Sequence, residues 1–247
     1  MLIAYTEESE PFLYTNAQGA LDGFEAKLIE NAFPSFKGEY KNYKLVKVDE
    51  GYELGEDTAY TDEDGNEYKA IIFCGAMHKN EGTVNEDYAW SNNIVENNIV
   101  TVVKQGSAIT SYNNIQGARA GVYSELCSAA LDKNSAIKSG FASVTAYGSP
   151  EELLAALDAG EIDAAVIDDF SFRPLEGAEG YTVLDGVLDT IEYGFAFARS
   201  IDYSTGFNEA VKEMLSEEYG DGDTLTPLIE QYFGYPEACV FEYETEE

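Results

Sequence analysis

Apolar positions along this chain recur at two spacings, and each change of spacing marks an element. Leu2–Tyr5 is a short apolar run that reads as a strand, and it leads into an acidic stretch closed by Pro11. After a turn at Asn16–Gly19, the residues Phe24, Leu28, Ile29, Ala32 and Phe33 fall on one helical face. A helix therefore begins near Gly23 and is expected to stop at Pro34. Tyr43, Leu45, Val46 and Val48 predict a strand. Residues 49–67, rich in Glu, Asp, Gly and Tyr with Asp64-Gly65 inside, read as a surface loop or hairpin before a strand over 68–73.

The second half continues the alternation. Strands are expected at Asn98–Lys104, Val144–Tyr147 and Tyr181–Leu184, with helices at about 124–132, at about 203–218 and ending at Gly234. One helix is marked by its own local chemistry. Ser149 can cap it, Pro150 suits its first turn, Leu153, Leu154, Ala156 and Leu157 supply its apolar face, and Gly160 ends it. Strands alternating with helices predict an α/β fold, and the loop after Tyr5, facing a helix start, is where open α/β sheets place ligands.

Charge narrows the function more than length does. The 247 residues carry 47 acids against 14 Lys and Arg, a net of -33. Nucleic-acid binding needs a basic face to replace counterions, so that class is excluded, and docking on anionic lipid is disfavoured. The acidity reads as a solubility feature of a secreted or surface protein. Cys74, Cys127 and Cys239 allow at most one disulfide, and Cys74, inside an apolar run, reads as a core residue. No run is long enough to span a membrane. Because Leu2 already opens the first strand, any leader or anchor is expected upstream of this sequence.

Catalytic machinery is hard to find. His78 is the one histidine, which leaves no multi-histidine metal site and no Ser-His-Asp set, and there is no Walker loop, dinucleotide fingerprint or zinc spacing. Neither an enzyme nor a cofactor is expected. With so many acids, adjacent pairs such as Asp168 and Asp169 carry no message about acid–base chemistry.

Several motifs in order resemble extracellular solute-binding protein family 3, within the type II periplasmic binding proteins. They are the acidic loop with Pro11-Phe12-Leu13-Tyr14, then Gly23-Phe24-Glu25, Trp90-Ser91, Gly117–Val122, Gly160–Asp168, Tyr193-Gly194 and Tyr232-Phe233-Gly234. The likeness covers about residues 2–234 and is weakest at 49–88, where the family's helix is not visible. It implies a two-lobed α/β fold, each lobe a mostly parallel sheet flanked by helices, with the ligand cleft between them. Lobe 1 would comprise residues 1–103 and 193–247, and lobe 2 residues 104–192.

By the same resemblance the chain binds a small solute, often an α-amino acid, and Asp168 would meet the ligand's ammonium; the lesser alternative for this residue is a helix cap or surface acid. Phe12 and Tyr14 would pack on the ligand, although Phe12 also suits a core. Glu7, Ser9 and Glu10 would face a polar or cationic end. Trp90 either stacks on the ligand or anchors its lobe. The family's carboxylate-binding arginine has no counterpart in residues 75–84, where only His78 and Lys79 are basic, and each of these also reads as a solvated loop residue. The second carboxylate device, a Gly-Thr or Gly-Ser turn, is replaced by Ser124-Glu125.

The expected function is that of an extracellular or periplasmic binding protein, a lipoprotein anchored to the membrane in its full-length form. It would be a monomer that hands a small polar solute, amino-acid-like or cationic, to the permease of an ABC importer. A ligand-sensing domain of a membrane receptor is the alternative. An enzyme resembling the cyclohexadienyl dehydratases, with Glu125 as its acid, is a third.

Overall fold

The computed structural model describes residues 1–78, 88–201, 203–215 and 222–242. The chain forms two compact units, Met1–Glu96 with Glu192–Glu247, and Asn97–Ile191. Unit 1 contains β1 (Leu2–Tyr5), β2 (Tyr14–Thr15), β3 (Leu21–Asp22), α1 (Phe24–Phe36), β4 (Lys44–Lys47), β5 (Gly55–Thr61), β6 (Glu67–Phe73) and β7 (Tyr88–Trp90). The chain leaves it along β8 (Val95–Lys104). Unit 2 continues with β9 (Arg119–Val122), α2 (Glu125–Lys133), α3 (Ser135–Lys138), β10 (Ser143–Ala146), α4 (Pro150–Ala159), β11 (Ala164–Asp168), α5 (Asp169–Phe172) and β12 (Tyr181–Val183). Along β13 (Asp189–Tyr193) the chain returns to unit 1, which β14 (Ala196–Ala198), α6 (Ser204–Leu215) and α7 (Leu225–Phe233) complete.

The sheet of unit 1 runs β4-β1-β6-β14-β7, with β5 also paired to β6. Strand β1 is parallel to β4 and β6, whereas β14 is antiparallel to β6 and β7. Leu2, Ile3, Ile71 and Ile72 are fully buried, as near-continuous apolar strands in the middle of a sheet should be. Helix α1 begins where it does because of Gly23. Its φ is 119°, and a Cβ there would lie 2.4 Å from the Phe12 carbonyl oxygen. That close approach lets the carbonyls of Pro11 and Phe12 accept the amides of Phe24 and Glu25, both at 2.9 Å, so the opening loop caps the helix with backbone.

Pro34 does not end α1, contrary to expectation, and the helix continues to Phe36. The ring removes one amide donor, but Phe36 is held by packing edge-on to Phe33 (5.7 Å) and Phe207 (5.2 Å), which keeps the last turn in place. Residues 49–67 contain a hairpin strand, β5, rather than loop alone. Its turn is organised by Asp62, whose carboxylate accepts the amides of Asp64 (3.0 Å) and Asn66 (2.8 Å) and the Tyr68 hydroxyl (3.2 Å). The Asn66 backbone amide first, then the Asn66 side chain and Lys44, hold the Asp62 carboxyl down at about 2. Lys44 of β4 reaches the same carboxylate at 3.4 Å, its ammonium between the rings of Tyr60 and Tyr68.

In unit 2 the order is β10-β9-β11-β8-β12, with β13 also on β8; β9, β10 and β11 are mutually parallel neighbours and β8 is antiparallel to β11 and β12. Alternate residues supply two cores. Ile99, Val103, Ala164 and Val166 face the layer containing Cys127 and Leu131, while Val100, Val102, Ala165 and Ile167 face the layer containing Leu153 and Leu157. Helix α4 forms as its local signals require. Ser149 accepts the Glu152 amide at 3.2 Å, Pro150 opens the helix, and Gly160 closes it at φ 69°. No helix among the described residues is long and apolar enough to cross a membrane. The three cysteines are thiols, with Cys74 and Cys127 buried.

Candidate functional site

In unit 1 the sequence-nominated residues collect near the C-terminal ends of the parallel strands. Ser9 and Leu13 exchange backbone hydrogen bonds (2.8 and 3.0 Å), which folds the acidic stretch into a tight loop with Glu7 and Glu10 exposed. Tyr14 is half-buried, and burial with the nearby charges of Asp22 and Glu10 pushes its hydroxyl pKa up. Phe12 is only 4% exposed. Its ring packs on Tyr193 at 4.5 Å and Phe233 at 5.1 Å, which is the packing of a core residue. His78 also packs on Tyr193, ring to ring at 5.8 Å, and pairs with it as an isolated bridge. Trp90 sits half-buried in β7 opposite Ala196, packed on the small cluster of Ala4, Phe73 and Ala196. Lys79 falls outside the described residues.

Sequence reasoning passes over two residues at this place. Spacing marks Tyr193 only as part of a return strand, yet its ring packs on both Phe12 and His78. Glu25 counts in the sequence only as a family marker. It is 2% exposed, and its carboxylate accepts the amide of Gly75 at 2.6 Å and that of Ala76 at 3.0 Å. Burial pushes the Glu25 pKa up to about 7, with the two amides pulling the other way. A glutamate in the first turn of a helix, two residues after an obligatory glycine, is the signal that could single it out.

In unit 2 the nominated residues lie at the C-terminal ends of β9 and β11. The Ser124 hydroxyl caps α2 by accepting the Cys127 amide at 3.2 Å, and Glu125 is exposed in that helix's first turn, where the helix dipole favours an acid. Asp168 is 4% exposed and caps α5, accepting the Ser171 amide at 3.1 Å. The same oxygen accepts from Asn97 Nδ2 at 3.0 Å, and the other accepts from the Tyr123 hydroxyl. Tyr123 also meets Ser171 Oγ at 2.6 Å, and burial together with the Asp168 charge raises its pKa strongly. Asp168 is therefore both the helix cap and the centre of a buried polar network, a role shared with Tyr123 and Asn97 that sequence spacing does not show. Among the described residues no group of three or more His, Cys, Asp or Glu is placed to hold a metal.

Neither a protein-family model nor a curated protein sequence matches the chain. Solved structures do. A polar amino acid ABC uptake transporter substrate binding protein from Streptococcus thermophilus superposes with a TM-score of 0.71 at 18% identity, covering 96% of this chain and 87% of that one. The likeness is one of fold. The second substrate binding domain of a putative amino acid ABC transporter from Streptococcus pneumoniae gives 0.66 at 17% identity, over 94% of this chain and 99% of that one. An ABC uptake transporter substrate binding protein from Streptococcus pneumoniae, solved with bound histidine, gives 0.57 at 19% identity over 97% and 94%. The two α/β units of this chain thus have the fold of the two-lobed periplasmic solute-binding proteins.

Proposed function

We propose that this chain is a solute-binding protein that takes a small polar solute, amino-acid-like or cationic, and presents it to the permease of an ABC importer. Its place would be outside the cell or in the periplasm, tethered to the membrane in the full-length form. The observation that carries this reading is the fold, shared over almost the whole of both chains with substrate-binding proteins of amino acid importers. Residues Glu7, Ser9, Glu10, Tyr14, His78 and Trp90 of unit 1, and Ser124, Glu125 and Asp168 of unit 2, are the proposed contacts, with Phe12 behind them as packing.

The charge of these residues sets the expected solute. Glu7, Glu10 and Glu125 are exposed acids, and residues 75–84 contain no arginine to pair with a carboxylate. Burying an unpaired carboxylate is unfavourable by several kcal/mol. A cationic or hydroxyl-rich solute fits better than an anionic amino acid. A thermal-shift screen across amino acids, polyamines, betaines and sugars tests this. A binder present at a hundred times its Kd adds about 2.7 kcal/mol to stability, which such a screen detects as a raised Tm. Stabilisation by cationic or hydroxylated solutes supports the reading; stabilisation by glutamate and similar anions alone overturns it.

A further inference from the structure

The turn at 75–76 has two consecutive residues at positive φ. Gly75 has φ 96°, and Ala76 has φ 57°, the one positive value outside glycine among the described residues. A side chain with a Cβ is unfavourable there and persists only where its surroundings hold it. What holds it is a single side chain fifty positions earlier. Both carboxylate oxygens of Glu25 are engaged, one by each amide of the turn, at 2.6 and 3.0 Å. The turn also fixes the next two residues. Met77 accepts the Gly194 amide at 3.0 Å, and His78, its Nδ1 3.3 Å from the Ala76 carbonyl oxygen, is laid against Tyr193.

We propose that Glu25 is a positioning residue: by accepting the Gly75 and Ala76 amides, its buried carboxylate sets the turn that carries His78 against Tyr193. Nothing in this depends on which solute the protein binds. The surroundings make the arrangement responsive to protons. Glu25 is packed among Phe12, Phe24, Ile94, Val95, Tyr193 and Phe195, with no space between them for a water molecule. The titratable groups nearest the carboxylate and its turn are the Cys74 thiol after β6, whose pKa burial and the Glu25 charge raise, Tyr193 from β13, and His78 in the turn itself. No cation among the described residues pairs with it. A proton on Glu25 converts one accepting oxygen into a donor, so one of the two amides loses its acceptor.

Because His78 is the sole histidine, its ring gives a single, directly assignable signal in nuclear magnetic resonance. The test is a titration of isotope-labelled protein from pH 3.5 to 8.5, with no solute added, monitoring the Glu25 side-chain carboxyl carbon, the Gly75 and Ala76 amide protons and the cross-peak between the His78 and Tyr193 rings. Both amides are expected to move together with a midpoint near 7, and the cross-peak to weaken below it. In Glu25→Gln the amide transition disappears. Amides that stay still or move only near the ordinary carboxylate pKa overturn the proposal. So does a cross-peak that keeps its intensity on both sides of the Glu25 transition. The carboxyl-carbon signal assigns the transition to Glu25 rather than to the His78 imidazole in the same turn, so the wild type remains informative even if the variant fails to fold. Since no solute is present, its failure leaves the solute-binding reading untouched.

Discussion

Glu25 and Asp168 are the same device built twice, with different surroundings. Each is a buried carboxylate near the C-terminal ends of its unit's parallel strands, and each accepts backbone amides. Asp168 has two further donors, the Asn97 amide and the Tyr123 hydroxyl, so its charge is spread over a network. Glu25 has amides alone among largely apolar walls, and burial wins: its pKa climbs to about 7. A buried carboxylate surrounded by side-chain donors locks structure. One held only by amides becomes a group that can change state in the physiological range.

The sharpest break of that comparison is Asp168→Ala. It removes a helix cap worth about 1 kcal/mol and leaves the buried Asn97 amide without its acceptor, while Tyr123 keeps Ser171 Oγ, for an expected loss of roughly 3 kcal/mol in chemical denaturation. Asp168→Asn, which still accepts one or two of these bonds, should lose about half as much.

Glu25 should show itself through pH instead. Its folded pKa lies above the unfolded value, so the folded state holds the proton more tightly. The resulting stability is fully present below pH 4.5 and is lost as pH rises through about 7. Over that window the contribution falls by roughly 3 kcal/mol. Subtracting the stability profile of Glu25→Gln from that of the wild type should expose this slope; parallel profiles would assign the dependence elsewhere. Asp62 works in the opposite sense, its contribution being present above pH 3.8 and lost as pH falls toward 2, so it leaves the neutral window undisturbed.

Two glycines extend the contrast between units. In Gly23→Ala the new Cβ meets backbone at Phe12, in a conformation that disfavours any side chain, and a loss of about 3 kcal/mol is expected. In Gly121→Ala it meets the ends of Leu153 and Ile162 in unit 2, which can move, and a loss of about 1–2 kcal/mol is expected. Equal losses would mean that the α4 layer is as unyielding as the opening loop. Ser149→Ala is the smallest change, about 1 kcal/mol for one helix cap, read as a shift in denaturation midpoint.

How far the sequence reveals each feature depends on how local its cause is. Helix α4 is written entirely within residues 149–160, and it forms as read. Pro34 misleads because the contacts that carry α1 past it come from Phe207, far along the chain. Strand β7 is invisible in the sequence because three residues offer no alternation to detect, and its strand character comes from pairing with β14. The hairpin strand β5 is only one of two readings, since Asp64-Gly65 marks a turn without showing that its flanks pair. The sites obey the same rule. The network around Asp168 joins residues 97, 123, 168 and 171, and the Glu25 clamp joins 25 to 75 and 76. Burial created across such separations leaves no periodicity to find.

The order of the strands also bears on how the protein is made. Unit 2 is one continuous stretch, and it can complete its sheet soon after its last strand is synthesised. Unit 1 cannot. Its sheet needs β14, and its aromatic core needs Phe207 and Phe233, all made after unit 2 is whole. Until then the face of β1 and β6, with Ile3 and Ile72, lacks part of its cover for the time needed to synthesise over a hundred residues, about 5–20 s at ordinary elongation rates. Unit 1 is therefore the part of this chain whose sheet closes last.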